Sequence, residues 1–364
     1  MKTLKITMMV GAVGLAFALA VTACGGSSSS SSQTTESSSE TQEGNSGSGG
    51  EINIDVGSQT LTFPAGTKPK IAMFAGSGTP YQESLRAGAE SVAKAAGVEL
   101  TYFDSQFEPG QQLKQLQNAL QTGEFNAWIV ENVGGPASCN LLTEQAPEAN
   151  IVVSAQSGPL CGKELEPFAK SWSPGTLDQV GAEVSRELLS NYFETVKPLV
   201  GPEPTIAALM GPEALFISTI WLEELEKVGL EPSAEAYTNY TTPDALAKTQ
   251  ALLKAHPDIN VIFSDSNDLT LGAIRAIEQE GKGGQIKIFD SGGNKEIVPE
   301  IEAGNVTATI PSFPRTSGEA CVEEIVKAFE GEKVPRLVEA LAEGSIENPL
   351  VVTAKNVKEY EPQF

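Results

Sequence analysis

The feature that most restricts the fold of this chain is a regular alternation of short apolar runs with amphipathic stretches, from about Lys70 to residue 310. The apolar runs are continuous rather than alternating with polar residues, which is typical of strands covered on both faces of a sheet. The stretches between them carry apolar residues at helical spacing. This order predicts an α/β fold with parallel sheets and right-handed crossovers.

The predicted elements fall into two successive series of similar size. In the first series we predict strands at 71–75, 100–103, 127–130 and 151–154, with helices at 81–96, 109–121 and 137–146. In the second series we predict helices at 177–193, 218–228, 245–255 and 269–280, with strands at 205–210, 261–263, 286–289 and 307–310. Two such series predict two doubly wound parallel-sheet lobes that bind a ligand at the carboxyl ends of their strands. A hairpin at 52–63 is a further prediction, and the sequence leaves its role open.

The N-terminus has the pattern of an export signal. Lys2 and Lys5 precede an apolar run at 6–21, which is shorter than the ~20 residues that a membrane-spanning helix needs. The run ends in Val-Thr-Ala-Cys24, which resembles the lipobox of bacterial lipoproteins. We therefore predict a signal peptide at 1–23 and a lipid on Cys24, with an ordinary signal peptide before an incidental cysteine as the alternative.

Residues 24–50 are rich in Ser and Gly and contain no large apolar residue. Such a segment buries too little surface to offset the entropy of ordering, so we predict a disordered tether. It would join a lipid anchor to a soluble body outside the cytoplasm, at the cell membrane.

Charge and histidine content disfavour several classes of function. The formal net charge is −23, spread along the chain, which disfavours nucleic acid and anionic lipid headgroups as partners. His256 is the single histidine, so catalytic triads and histidine metal sites are disfavoured. The Gly-Ser-Gly at 76–78 has Tyr81 at the third glycine position of a dinucleotide fingerprint, and there is no P-loop and no Gly-x-Ser-x-Gly. We predict no cofactor, no metal and no enzymatic activity.

The remaining cysteines follow from the predicted export. Cys139 and Cys161 flank one predicted strand, and an exported chain permits disulfides, so we predict that they are bonded. Cys321 lies in a stretch with helical apolar spacing and is predicted to be a small buried residue.

Several segments, in their order and spacing, resemble the ribose-binding type of periplasmic binding protein from about residue 70 to 352. They are Ile-Ala-Met-Phe at 71–74, Thr-Pro-Tyr at 79–81, Phe-Asp-Ser-Gln at 103–106, Ala-His-Pro-Asp at 255–258, Asn-Asp-Leu-Thr-Leu-Gly-Ala at 267–273, Phe-Asp-Ser-Gly at 289–292 and Gly-Asn-Val-Thr-Ala-Thr-Ile at 304–310. The resemblance implies two lobes joined by a three-segment hinge near 173–175, 311–313 and 347–349. The N-terminal lobe would be 68–173 plus 312–347, and the C-terminal lobe 174–311 plus 348–364.

The same resemblance implies ten ligand-binding residues at loops after the strands: Thr79, Tyr81, Gln82, Gln156, Ser157, Thr219, Tyr240, Ser266, Asp290 and Ser312. Three features depart from the family pattern, namely a single aromatic at Tyr81, Gln156-Ser157 in place of Asp-Arg, and Thr219 in place of Arg. Alternative roles are a helix core for Tyr81, and a helix cap or a solvated loop acid for Asp290. Asp265 and Asp268 suggest a cation site, but acids at a helix start also favour the helix dipole.

These observations predict a monomeric solute-binding lipoprotein of an ABC importer, which closes on a sugar or polyol and presents the closed form to a permease. Two alternatives are a receptor that presents its ligand to a signalling or chemotaxis sensor, and a binder of a nucleoside or a signalling furanose.

Overall fold

The computed structural model describes residues 50–76, 78–158, 160–161, 173–181, 186–213, 215–339 and 351–364. The predicted signal peptide, the predicted lipidation site Cys24, most of the predicted tether and the predicted third hinge crossing at 347–349 lie outside these residues. Across the described ranges, no helix combines the length and the apolar character needed to span a bilayer.

The strands are β1 (Glu51–Asp55), β2 (Thr60–Pro64), β3 (Lys70–Ala75), β4 (Glu99–Asp104), β5 (Ala127–Glu131), β6 (Val152–Gln156), β7 (Gln179–Val180), β8 (Ile206–Met210), β9 (Ala234–Tyr237), β10 (Val261–Ser264), β11 (Lys287–Gly292), β12 (Ala308–Pro311) and β13 (Leu337–Val338). The helices are α1 (Pro80–Ala96), α2 (Pro109–Thr122), α3 (Ala146–Glu148), α4 (Arg186–Val200), α5 (Phe216–Lys227), α6 (Thr242–Ala255), α7 (Asn267–Gln279), α8 (Ile297–Ala303) and α9 (Pro314–Phe329). Short turns of 3₁₀ type lie at Gly135–Ser138 and Val357–Glu359, and a π-helical turn lies at Leu141–Gln145.

Two parallel sheets organise the body. The first has the strand order β4-β3-β5-β6-β7-β13, and the second has the order β9-β8-β10-β11-β12. In each sheet the second strand in chain order lies on one side of the first strand and the third lies on the other side. The direction in which strands are added therefore reverses between β3 and β5 and between β8 and β10, although all of these strands run parallel. The prediction of two doubly wound parallel sheets is confirmed. In such sheets the loops at the reversal point form a crevice that binds ligands.

The predicted hairpin is confirmed as the antiparallel pair β1–β2. Its buried face carries Ile52, Ile54, Leu61 and Phe63, which join the core of the first sheet. The Phe63 ring lies 4.7 Å from the ring of Phe329 in α9. The hairpin therefore covers apolar surface of the first lobe, which answers the question of its role.

Helices α1 and α9 pack closely because glycines lie at their crossing. An ideal Cβ on Gly88 would lie 2.1 Å from the carbonyl oxygen of Arg315, and one on Gly318 would lie 2.0 Å from that of Leu85. Thr79 caps α1 by accepting a hydrogen bond from the backbone N–H of Gln82. The cap and the crossing together hold the first turn of α1, which reaches the cleft.

Two predicted helices are wrong in part. The helix at 177–193 is confirmed from Arg186 onward as part of α4. Its start is replaced by β7, because Gln179 and Val180 pair with β6 and β13 and tertiary pairing overrides the helical spacing of Leu177 and Val180. The chain stays in the first sheet through Val180, beyond the predicted lobe boundary at 173. The helix at 137–146 is broken into the 3₁₀ turn, the π-helical turn and α3. Strand β9 and helix α8 were not predicted.

The cysteine predictions are confirmed. Cys139 and Cys161 form a disulfide within the first lobe, and Cys321 is buried in α9.

Candidate ligand-binding site

A cavity of about 180 Å³ lies at the carboxyl ends of both sheets. That volume is below the ~300–1,000 Å³ of drug-sized pockets and suits a small ligand. The cavity is lined by Thr79, Tyr81, Gln82, Phe107, Glu131, Asn132, Val133, Gln156, Ser157, Gly158, Leu215, Ile217, Tyr240, Asp265, Ser266, Asn267, Asp268, Ser291, Gly292, Ser312 and Phe364.

Eight of the ten predicted residues line this cavity: Thr79, Tyr81, Gln82, Gln156, Ser157, Tyr240, Ser266 and Ser312. Thr219 does not, because its side chain is exposed on α5. Asp290 does not either, because it is fully buried behind the cavity wall.

The structure gives Asp290 a supporting position behind the cavity wall. Its carboxylate accepts hydrogen bonds from Asn267 Nδ2 at 2.8 Å, Thr270 Oγ1 at 2.5 Å and Thr309 Oγ1 at 2.6 Å. Burial raises its pKa to about 6 despite these donors. Asn267 lines the cavity and also donates to the carbonyl of Ser291 at 2.9 Å. Asp290 therefore orients a wall residue, and it is neither a helix cap nor a solvated acid.

The first lobe contributes a carboxylate at the end of β5. Glu131 is half-buried and accepts from Gln82 Nε2 at 2.9 and 3.0 Å, and from the backbone N–H of Gly76 at 3.2 Å. Burial raises the pKa of Glu131. These bonds join the loops after β3 and β5, which are the two strands at the reversal point of the first sheet.

The second lobe repeats this arrangement with Asp265, which follows β10. Its carboxylate accepts from the backbone N–H of Gly211 at 3.0 and 3.1 Å, from the Tyr240 hydroxyl at 3.3 Å and from Ser218 Oγ at 3.4 Å. Burial raises the pKa of Asp265 to about 7. In both lobes a glycine after the first strand thus donates to an acid after the third.

An aromatic ring lies against each of these glycines. Phe107 follows β4 and packs on Gly76, and Tyr240 follows β9 and packs on Gly211. The two rings come from opposite lobes, and their centroids are 6.0 Å apart. Phe107 and Tyr240 have φ values of 56° and 58°, a left-handed conformation that is costly for bulky residues. The strained loops direct both rings to the cleft.

A second group of side chains surrounds Tyr81. Its hydroxyl lies 3.3 Å from Ser157 Oγ, and Gln156 Nε2 donates to it at 3.5 Å. The Tyr81 ring packs edge-on against Phe364 at a centroid distance of 5.9 Å. Tyr81 is half-buried, lines the cavity and also packs against the core of the first lobe.

Comparison with known proteins identifies the family. Residues 71–333 match the periplasmic binding protein domain. The chain belongs to this family. It is 25% identical to the ribose import binding protein of Escherichia coli K12 over 282 residues, which is 76% of this chain and 90% of that protein. A glucose-galactose binding protein from Geobacillus stearothermophilus superposes with a TM-score of 0.66 at 18% identity, covering 80% of this chain and 99% of the other. A solute-binding protein from Actinobacillus succinogenes with bound D-allose gives 0.65 at 21% identity, covering 80% and 100%.

The chain is thus a periplasmic binding protein of type I fold and ribose-binding type, as the resemblance implies. Sequence reasoning missed thirteen of the lining residues, among them Phe107, Glu131, Asp265 and Phe364. Glu131 and Asp265 stand at the ends of buried strands, which is the signal that identified the other candidates. Phe107 adds an aromatic ring to the cavity, where it pairs with Tyr240. Phe364 carries no sequence signal, because only the tertiary fold brings it to the cleft.

Among the described residues of this binding protein, no group of three or more His, Cys, Asp or Glu side chains is arranged to hold a metal ion. The acids of the cavity are instead spread over its two walls.

Proposed function

We propose that this protein is an extracytoplasmic solute-binding lipoprotein of an ABC importer, which binds a small sugar-like or polyol ligand between its lobes without catalysis. The observation that carries the proposal is a cavity whose walls come from both lobes. Phe107 and Glu131 lie on one side, and Tyr240 and Asp265 lie on the other. Relatives named as sugar-binding proteins support a ligand of this class.

Closure would be a rotation of the lobes about the segments that connect them. The chain leaves the first sheet after Val180 and enters the core of the second lobe with α4. It returns where β12 ends at Pro311 and α9 begins at Pro314, and Val352 again pairs with Thr309 in the second lobe. A few residues in such segments absorb the change in backbone angles during hinge closure.

The affinity required is modest for a ligand of this size. A molecule of about a dozen heavy atoms bound at micromolar Kd gains roughly −8 kcal/mol, or about −0.7 kcal/mol per atom, which is within the limits of small ligands. Near-complete burial between two closing lobes supplies the contacts that such efficiency needs.

The test is a thermal-shift screen against sugars and polyols, followed by small-angle X-ray scattering with and without each hit. A ligand at 100 times its Kd should stabilise the fold by about 2.7 kcal/mol and reduce the radius of gyration. Phe107→Ala should weaken binding, whereas Leu199→Ala, at an exposed apolar residue outside the cavity, should not. A hit that leaves the scattering unchanged would refute closure, and a hit recovered as a product would refute the absence of catalysis.

The lipid anchor and the permease are separate parts of the proposal. Expression in a bacterial host should place the wild type in the membrane fraction and Cys24→Ala outside it. Recovery of the wild type without lipid, by mass spectrometry, would refute the anchor. Ligand uptake by membrane vesicles that contain a candidate permease should require the binding protein, and uptake without it would refute the importer role.

A further inference from the structure

We propose that the ligand is a positively charged, hydroxylated amine of amino-sugar or amino-polyol type, whose nitrogen is held between Glu131 and Asp265. This inference rests on the proposed function of the same cleft and narrows its substrate class.

The first support is the sign of the charges at the cavity. Its lining contains three acidic side chains, Glu131, Asp265 and Asp268, and no lysine, arginine or histidine among the described residues. A cationic ligand is the simplest source of the missing positive charge.

The second support is that the two acids line one cavity from opposite lobes. The Tyr240 hydroxyl donates to Asp265 at 3.3 Å, and the Tyr240 ring lies 6.0 Å from the ring of Phe107. Phe107 in turn packs on Gly76, whose N–H donates to Glu131. Closing the lobes on a neutral ligand would confine two like charges in a poorly hydrated space, which is unfavourable. An ammonium between them converts repulsion into two charge-assisted hydrogen bonds.

The third support is the aromatic lining. The rings of Phe107 and Tyr240 form one pair across the lobes, and those of Tyr81 and Phe364 form a second pair. Electron-rich ring faces beside carboxylates attract organic cations by cation–π interaction. The same rings pack against the C–H faces of a sugar or polyol, so the walls suit both parts of an amino sugar.

The fourth support is a surplus of hydrogen-bond acceptors. Gln82 and Gln156 are almost fully buried at the cavity, and their side-chain carbonyl oxygens have no hydrogen-bond partner in the described structure. The orientation of the Gln82 amide is determined by Glu131, because only its nitrogen can donate to the carboxylate. An ammonium donates three hydrogen bonds and accepts none, so it complements a site in which acceptors are in excess.

The experiment compares amines with their neutral parents by isothermal titration calorimetry on the full folded body at pH 7.5 and constant ionic strength. The probes are D-glucosamine and 6-amino-6-deoxy-D-glucose against D-glucose, 1-amino-1-deoxysorbitol against sorbitol, and further amino sugars paired with their parent sugars. At least one amine should bind ten or more times more tightly than its parent. Equal or tighter binding by the neutral members overturns the inference and leaves the proposed function standing. Absence of binding by both members of every pair counts against both.

Variants of the cavity acids test which carboxylates bind the ammonium group. Asp265→Asn and Glu131→Gln should each weaken the amine tenfold to a hundredfold and lower the ratio of amine affinity to neutral-parent affinity by at least tenfold. Glu226→Gln, an exposed acid on α5, is the matched control and should bind the amine like the wild type. If Asp265→Asn or Glu131→Gln fails to fold, Asp268→Asn provides a second test. Asp268 is half-buried, and its replacement should cause a smaller loss of amine affinity. Retained amine affinity in the folded site variants overturns the inference.

Discussion

Replacing Gly211 with alanine tests whether Tyr240 is a wall of the ligand site. An ideal Cβ at this position would lie 2.0 Å from Cζ of Tyr240 and 2.3 Å from its hydroxyl oxygen, so the ring must move. The atoms in conflict are the far end of one side chain, which can rotate while the backbone stays in place. The rotation would remove one aromatic wall and the 3.3 Å hydrogen bond from the Tyr240 hydroxyl to Asp265.

The expected loss follows from these two contacts. Displacing the ring removes an aromatic contact with the ligand worth about 0.5–1.5 kcal/mol beyond its buried area, which corresponds to roughly a twofold to tenfold weaker Kd. The hydrogen bond to Asp265 is internal to the protein, so its loss should lower the free energy of unfolding without ligand by about 1.5–3 kcal/mol. Calorimetric titration measures the first quantity and denaturant unfolding measures the second.

Gly110→Ala is the matched control for this substitution. Gly110 lies in the first turn of α2 with no atom within 4 Å of an added Cβ, so alanine should bind ligand normally and stabilise the fold by about 0.5–1 kcal/mol. If Gly211→Ala binds the ligand with wild-type affinity, the Tyr240 ring is not a wall of the ligand site. A loss of stability above ~3 kcal/mol would show that the ring belongs to the core.

Three further outcomes test the fold. Gly318→Ala should cost about 1–3 kcal/mol of unfolding free energy, because its Cβ would strike a backbone carbonyl of α1, and binding by the folded fraction should be unchanged. Burial raises the pKa of Asp178 to about 7, above the unfolded value of 3.8, so its contribution to stability is complete below about pH 4 and is lost as the pH rises to 7. Asp178→Asn should therefore exceed the wild type in stability by on the order of 3 kcal/mol at pH 8 and match it at pH 4, and equal stabilities at both pH values would contradict the assignment. Non-reducing peptide mapping should recover Cys139 bonded to Cys161, and the double serine variant should lose roughly 2–4 kcal/mol, whereas an unchanged melting curve would contradict a structural role.

Much of the architecture was predictable because it depends on short-range patterns. A strand such as β3 is buried on both faces, and its continuous apolar run is legible without knowledge of its neighbours. Helix α1 begins at a Thr-Pro cap and ends at Gly97 in a left-handed conformation, both of which are local signals. By contrast, β7 is two residues long, and its identity as a strand comes from pairing with β6 and β13. No local pattern contains that information.

The residues of the candidate site likewise include some that the sequence predicts and some that only the tertiary structure reveals. The sequence alone predicted that ligand-binding residues follow the strands, because parallel strands bring their carboxyl ends to one edge. The resemblance to the family then implied Tyr81, Gln156 and Tyr240, which line the cavity. The tertiary structure decided which acids face the cavity. Asp290 lies near the end of buried strand β11 and Asp265 directly follows buried strand β10, but three side-chain donors enclose the first behind the wall, while the second lines the cavity. Burial and hydrogen bonding depend on residues distant in sequence, so only the folded chain separates the supporting carboxylate from the one that lines the cavity.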